Sequence, residues 1–276
     1  MGKIYLQMYS FMDGTEYDSK KNFTAASDMG FDGVELFGPN LEIPVEELKA
    51  LLEELHLESI SMHAPKTEMI ESMIPFAKGM GMRFIGIGME CMPDDASVHR
   101  FADTLNQLGK KCAENGLTLT YHNHTQEFLP CEEKKVIDVL MDETDPDYVS
   151  FELDAGWCAA AGFDPIALVQ EYSGRIKLIH IKESSRVIGP QPPMDYNTIP
   201  RDEQGKPIFT EEQQKAMDES KKINCRAGEG LVDWKALKEA ADQHGCQAYI
   251  VEREYSPEGS RQDCLKADIE YYRTQI

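Results

Sequence analysis

No stretch of the chain approaches the ~18 unbroken apolar residues of a membrane-spanning helix. The first residues, MGKIYLQMYSF, carry no basic segment leading into an apolar one, as a secretory leader does. The expectation is a cytoplasmic protein with no membrane partner. The seven cysteines are scattered, odd in number and never spaced CxxC, which argues against a disulfide framework and a thiolate zinc site alike. Cations are scarce: 28 Lys and Arg stand against 49 Asp and Glu, for a formal net charge of -21. Such a surface repels a phosphate backbone, so nucleic acid is not expected as a partner. No glycine-rich phosphate loop stands out either.

What the chain does have is alternation. Short β-rich runs are followed by longer amphipathic segments from end to end, the pattern of parallel strands joined by crossover helices. Eight runs read as strands: IYLQMYS from Ile4, GVELFG from Gly33, LESISMHAP from Leu57, FIGIGME from Phe84, LTLTYHNH from Leu117, VSFELDAG from Val149, IKLIHIKE from Ile176 and QAYIVEREY from Gln247. Seven intervening segments and a C-terminal one read as helices. In PVEELKALLEELH, Leu48, Leu51, Leu52 and Leu55 share one face after a proline suited to a first turn. Asp95 and Asp233 are expected to cap the helices that follow them, and Gly116 and Gly245 to stop them. At 276 residues the chain matches one α/β domain over 1–276, a (β/α)8 barrel. The stretch 187–226, rich in proline and charge, breaks the rhythm after the seventh strand. Connections in α/β units run ~2 to 6 residues, so this one is either a disordered excursion or a lid, and its place after a strand favours the lid.

In such barrels chemistry gathers at the C-terminal ends of the strands, and alternate residues point into the lumen. Four successive strands end in paired ionisable groups of one parity: His122 and His124, Glu152 and Asp154, His180 and Lys182, Glu252 and Glu254. Earlier strands add Glu35, His63 and Glu90. So many ionisable groups at one mouth are costly to desolvate unless paired or bound to a cation. Imidazole and carboxylate without thiolate suit one divalent ion such as Mn2+, Co2+, Zn2+ or Mg2+. Glu152 is also placed to pair deeper in the barrel, and Lys182 to neutralise its carboxylate neighbours. Trp157 and Phe37 suit core or rim packing, or stacking on a sugar. His56, His99 and His244 fall in helices or at their ends and read as structural.

The blocks MGFDGVELFG, SMHAP, LTLTYHNHTQEF, FELDAGW, AGFDPIALVQEYSGRIKLIHIKE, GEGLVDWKAL and YIVERE resemble the xylose-isomerase-like TIM barrels, the sugar phosphate isomerases/epimerases that include ketose epimerases, inosose dehydratases and relatives of endonuclease IV. The resemblance implies metal ligands at the ends of strands five to eight, with Asp154, His180 and Glu252 matching the last three. At strand five this chain has His122-Asn123-His124 where many relatives have Glu followed by Asn-His; His122 is taken as the ligand, with His124 or Glu127 as alternatives. It further implies that Glu35, His63, Lys182 and Arg186 contact substrate, with Glu127 and Trp157 beside them. The implied activity is a metal-dependent sugar isomerase/epimerase that abstracts a proton beside a carbonyl, through an enediolate, on a small keto sugar or polyol. Glu252 is the expected base and His124 the alternative acid/base. The rivals are a dehydratase or eliminase of an inosose or keto-glycoside, a phosphodiesterase of the endonuclease IV type and a non-catalytic sugar-binding barrel.

Overall fold

Residues of alternating character cover the strands β1 (Ile4–Gln7), β2 (Gly33–Leu36), β3 (Glu58–Ala64), β4 (Phe84–Ile87), β5 (Thr118–His122), β6 (Val149–Asp154), β7 (Ile176–Ile181) and β8 (Ala248–Val251). The computed structural model describes residues 2–14, 16–195, 198–202, 204–256 and 258–276. In it these strands close, all parallel, in the order β1-β8-β7-β6-β5-β4-β3-β2. One face of each strand is apolar and packs outward: Leu6, Val34, Ile85, Leu119, Phe151, Leu153, Ile179 and Val251 belong to the main buried core shared with the helices. The other face looks into the lumen. At the bottom it supplies Tyr5, Phe84, Leu178, Ala248 and Ile250, which form a separate buried cluster. Two residues further along, the same faces turn polar. The barrel is thus plugged with hydrocarbon below and charged above.

The helices are α1 (Ser19–Met29), α2 (Val45–Glu54), α3 (Ile70–Met80), α4 (Asp95–Ala113), α5 (Val136–Glu143), α6 (Ala155–Ala160), α7 (Pro165–Glu171), α8 (Glu211–Lys221), α9 (Trp234–Gln243) and α10 (Arg261–Gln275). Pro44 is the N-cap of α2. Asp233 caps α9, as its sequence suggests. For α4 the cap is Asp94 rather than Asp95: Asp94 Oδ1 accepts from Ser97 N at 2.7 Å and Ser97 Oγ accepts from Asp94 N at 3.0 Å, a reciprocal box that needs the serine three residues on. α8 lies inside the segment after β7, in the charged stretch TEEQQKAMDESKKI whose composition suits a helix, and one helix exceeds the sequence expectation. α6 starts at the tip of β6, where Asp154 Oδ1 accepts from Trp157 N at 2.7 Å and caps it. That helix sits close under β7: a Cβ at Gly156 would fall 2.2 Å from Lys182 O, so only glycine lets the two elements meet.

The long segment after β7 leaves the barrel past α6, with Ile188 N and Gly189 N donating to Ala160 O at 2.8 and 3.1 Å. It then reaches the turn after β5, where Gln191 N donates to Thr125 Oγ1 at 3.3 Å. α8 has no buried side chain. The segment returns through Ile223, fully buried beside Trp157 and Ala160.

The end of β8 is fixed from outside. Arg253, between the inward-facing Glu252 and Glu254, forks onto Asp268 of α10 at 2.6 and 2.7 Å and donates to Cys225 O at 3.2 Å. Both side chains are buried, at 4% and 3% exposure. Removing one partner of a buried pair leaves the other charge uncompensated. Asp268→Ala is expected to lower stability by about 3–5 kcal/mol in urea unfolding; a loss below about 1 kcal/mol contradicts this anchoring role.

Candidate metal centre and active site

Period-two alternation brings the expected residues of four strands into one lumen. His122, Asp154, His180 and Glu252 each offer a donor atom, all within 4.8 Å of one another. His122 Nε2 stands 3.9 Å from Asp154 Oδ2 and His180 Nδ1 stands 3.4 Å from Glu252 Oε2. Donors held ~2.1 Å from one tetrahedral ion lie roughly 3.4 Å apart, so this set fits a single cation with little movement. The strongest sign is Asp154. Its Oδ1 caps α6, while Oδ2 is buried without a hydrogen-bond partner among the described residues. Burial, with Glu252 adding to it against Lys182, pushes the Asp154 carboxyl up to about 7. A buried carboxylate oxygen left bare is costly, and a cation removes that cost. Two imidazoles and two carboxylates suit a transition metal.

Beneath lies a second set, His63, His122, Glu152 and His180, also within 4.8 Å. Here the donors lie against groups of opposite character, although His122 Nδ1 and Glu152 Oε1 have no aligned hydrogen bond among the described residues. His63 Nε2 is 2.5 Å from Glu152 Oε2, His122 Nδ1 is 3.3 Å from the same oxygen, and His180 Nε2 is 2.7 Å from Glu35 Oε2 and 3.3 Å from Glu152 Oε1. Burial opposes charge throughout; pairing outweighs it at Glu152 and His63, and burial prevails at His122. His180 and His63 hold the Glu152 carboxyl well below its usual range. Glu35 and Glu152 in turn push the His63 imidazole up to about 9. Burial and the neighbouring His180 bring His122 down to about 4, which keeps it neutral and able to ligate. Glu152 therefore pairs deep in the barrel, the alternative its strand position offered. Gly86 makes room for this packing, since a Cβ there would meet His63 Cδ2 at 2.9 Å.

On the mouth side, Lys182 is buried with Nζ 2.6 Å from Glu254 Oε1, 3.7 Å from Glu252 Oε2 and 4.8 Å from the centre of the Trp157 ring. The ring of His124 lies 5.1 Å from that of His122 and 6.0 Å from that of Trp157. Burial, then the neighbouring His122 imidazole, holds His124 well below its usual range.

Three other expectations fall outside this gathering. Glu127 is fully buried and saturated, accepting from Tyr121 Oη at 2.7 Å, Gln126 Nε2 at 2.8 Å and His124 N at 2.7 Å, so it builds the turn after β5 instead of replacing a ligand or facing substrate. Arg186 is half exposed and pairs with Glu219 of α8 at 3.0 Å. Glu90 accepts from Thr67 Oγ1 at 2.5 Å, away from both sets. Conversely, three polar residues with no evident signal in the sequence hold the site. Asn123 pins β5 to β6 by accepting from Asp154 N at 3.0 Å and donating to Asp154 O at 3.3 Å. Gln7 and Ser61 donate to Glu35 at 2.7 and 2.5 Å. The available clue was parity, since both sit on lumen-facing strand positions.

The xylose isomerase-like TIM barrel family matches residues 23–275. The chain belongs to that family. Among curated proteins it is similar to inosose dehydratases: 29% identical over 156 residues to that of Geobacillus thermodenitrificans, covering 56% of this chain and 46% of the relative. A Bacillus cereus inosose dehydratase is 37% identical over 84 residues, 30% of this chain and 28% of the relative. The chain thus spans less than half the length of these curated relatives. Among solved structures, a sugar phosphate isomerase/epimerase from Parabacteroides distasonis superposes with a TM-score of 0.74 at 20% identity, covering 98% of this chain and 97% of that one. The 3-keto-D-glucoside 4-epimerase of E. coli gives 0.67 at 16% identity, covering 99% and 100%. At these identities the structures report a shared fold.

Asp154→Ala is expected to abolish retention of a divalent ion after dialysis, measured by elemental analysis, with an unchanged circular dichroism spectrum. A variant that keeps the ion in wild-type amount removes Asp154 from the centre.

Proposed function

We propose that this chain is a metal-dependent enzyme that abstracts a proton α to the carbonyl of a small polyhydroxylated ketone, a keto sugar or inosose, and expels a β-hydroxyl as water. What supports this reading is the unlike character of the groups beside the candidate centre: Glu252 is a carboxylate held ionised, whereas the β5 side offers the imidazoles of His122 and His124. Glu252 directly follows the last residue of β8. The wall formed by β5 offers imidazoles, and both nitrogens of His122 already face carboxylates. Inverting a carbon needs an acid/base on each face, whereas elimination needs one base and an exit for hydroxide. The similarity to inosose dehydratases supports the same choice.

His122, Asp154, His180 and Glu252 would hold a divalent ion, which would supply Lewis-acid polarisation of a carbonyl. The chain's own groups do the rest. Glu252 is buried, but Lys182 and His180 hold its carboxyl well below the usual range, so it is ionised. Lys182 places a fixed positive charge beside it, where negative charge develops on the substrate. Trp157, under the lysine, gives a flat apolar surface suited to the C–H face of a ring. His63, 15% exposed at its side chain and cationic at neutral pH, and the neutral His124 complete the polar lining.

Isomerisation or epimerisation is the second reading, and His124 favours it. Its Nδ1 is buried without a partner among the described residues, in the turn just past β5, three strands round the barrel from β8. The two are separated by NMR of keto sugars, inososes and keto-glycosides in D2O. Dehydration gives an unsaturated or dicarbonyl product one water lighter; an epimeric ketone carrying solvent deuterium at one carbon overturns the dehydratase reading. Glu252→Gln is expected to lower kcat by about 10²–10⁴-fold.

The segment 187–226 is proposed as a lid, supported by its path from β7 past Ala160 to Thr125 on the β5 turn. Limited proteolysis is expected to cut it in the free protein and to slow with substrate; equal cleavage at saturation counts against closure.

A further inference from the structure

The two candidate cation sets share His122 and His180, and each ring turns one nitrogen toward each set. His180 Nε2 lies 2.7 Å from Glu35 Oε2, whereas its Nδ1 faces Glu252 at 3.4 Å. His122 Nδ1 lies 3.3 Å from Glu152 Oε2, without full hydrogen-bond alignment, whereas its Nε2 faces Asp154 at 3.9 Å. A neutral imidazole carries one proton, so the nitrogen that donates to a carboxylate leaves the other as a lone pair. Serving two cations at once would strip both protons and demand imidazolates. One cation, with one tautomer per ring, is the economical arrangement.

The carboxylates below are built to receive those protons. Glu35 is fully buried and held at both oxygens, by Gln7 Nε2 at 2.7 Å and Ser61 Oγ at 2.5 Å. Glu152 is 1% exposed and is gripped by His63 Nε2 at 2.5 Å, a ring that stacks on His180 at 5.6 Å between centroids. None of these contacts reaches the mouth side of the upper set, and each fixes a nitrogen that points away from it.

We propose that Glu35 and Glu152 are positioning residues that set the tautomers of His180 and His122, so that His180 Nδ1 and His122 Nε2 are the atoms presented to the cation, with His63 locking Glu152 in place. The lower set is then a proton-bearing support and not a second metal site. Orienting carboxylates behind ligand histidines raise their basicity and hold the ring angle, and losing one costs about 10–100-fold in metal affinity. This inference rests on the metal reading of the upper set.

The test uses the full chain, labelled with 15N-histidine and loaded with 113Cd2+. Cadmium–nitrogen coupling is expected at His180 Nδ1 and His122 Nε2, with protons retained on the opposite nitrogens. Coupling at His180 Nε2 or His122 Nδ1 puts the ion in the lower set and overturns the inference alone. Wild-type protein that takes up no cadmium overturns the metal reading and this inference with it. Chelator competition supplies the second arm. Glu35→Met, which removes the acceptor but keeps the volume, is expected to weaken cadmium about 10–100-fold and to lose the slowly exchanging Nε2 proton of His180. Glu35→Gln retains an acceptor oxygen and should recover most of the affinity. Glu152→Gln should still bind the ion, more weakly than wild type. Affinity within twofold of wild type in Glu35→Met, or loss in Glu152→Gln as complete as in Asp154→Asn, contradicts the assignment.

Discussion

The upper half of the barrel is governed by the cost of taking charge out of water. Glu35, Glu152, Asp154, His180 and Lys182 are all essentially without solvent contact, and none could be ionised there alone. The structure meets the cost by alternating sign. Lys182 lies between Glu252 and Glu254, Glu152 lies among His63, His122 and His180, and Glu35 lies against His180. The chain of pairs is open at Asp154 Oδ2, one of several buried atoms of the site, with His122 Nδ1, His124 Nδ1 and Glu152 Oε1, that have no hydrogen-bond partner among the described residues. A barrel whose lower layer is hydrocarbon and whose strands are fixed from outside, as β8 is by Arg253 and Asp268, can hold such a network open at that point without collapsing onto it.

The gap also organises the chemistry. Asp154 ends β6, caps α6 with one oxygen and leaves the other for a cation, so strand, helix and centre share one residue. The side chains on the mouth side of it, Glu252, Lys182, His124 and Trp157, are the ones proposed to meet a substrate. Everything below it, Glu35, Glu152 and Ser61, is suited to aim ligands. The division follows the pleat of the strands: a step of two residues along a strand moves a side chain from support to surface.

Much of this was legible in the sequence, because the fold repeats a simple rule. The eight strands were readable from alternating character, and the parity of His122, Asp154, His180 and Glu252 placed them on one face before any coordinates. Readings failed where a local hydrogen bond decided. Ser97 moves the α4 cap back to Asp94, and α6 is a one-and-a-half-turn helix whose buried AGWCAA shows no amphipathic period. Glu127 looked available for the centre until Tyr121 and the His124 amide were seen to saturate it. Arg186 follows its strand closely in sequence, but the exit of the 187–226 segment turns it toward α8. Gln7 and Ser61 carry no motif, and Asn123 stands in the strand-five motif without a role the sequence assigns; only the assembled barrel gives them partners.

The measurement that bears most directly on this account is anomalous diffraction from crystals soaked in Mn2+ or Zn2+. The account predicts a single strong peak bounded by His122 Nε2, Asp154 Oδ2, His180 Nδ1 and Glu252, with Glu152 and His63 outside coordination distance. A peak among His63, Glu152 and the lower nitrogens of His122 and His180, or no peak in the barrel at saturating metal, would contradict it.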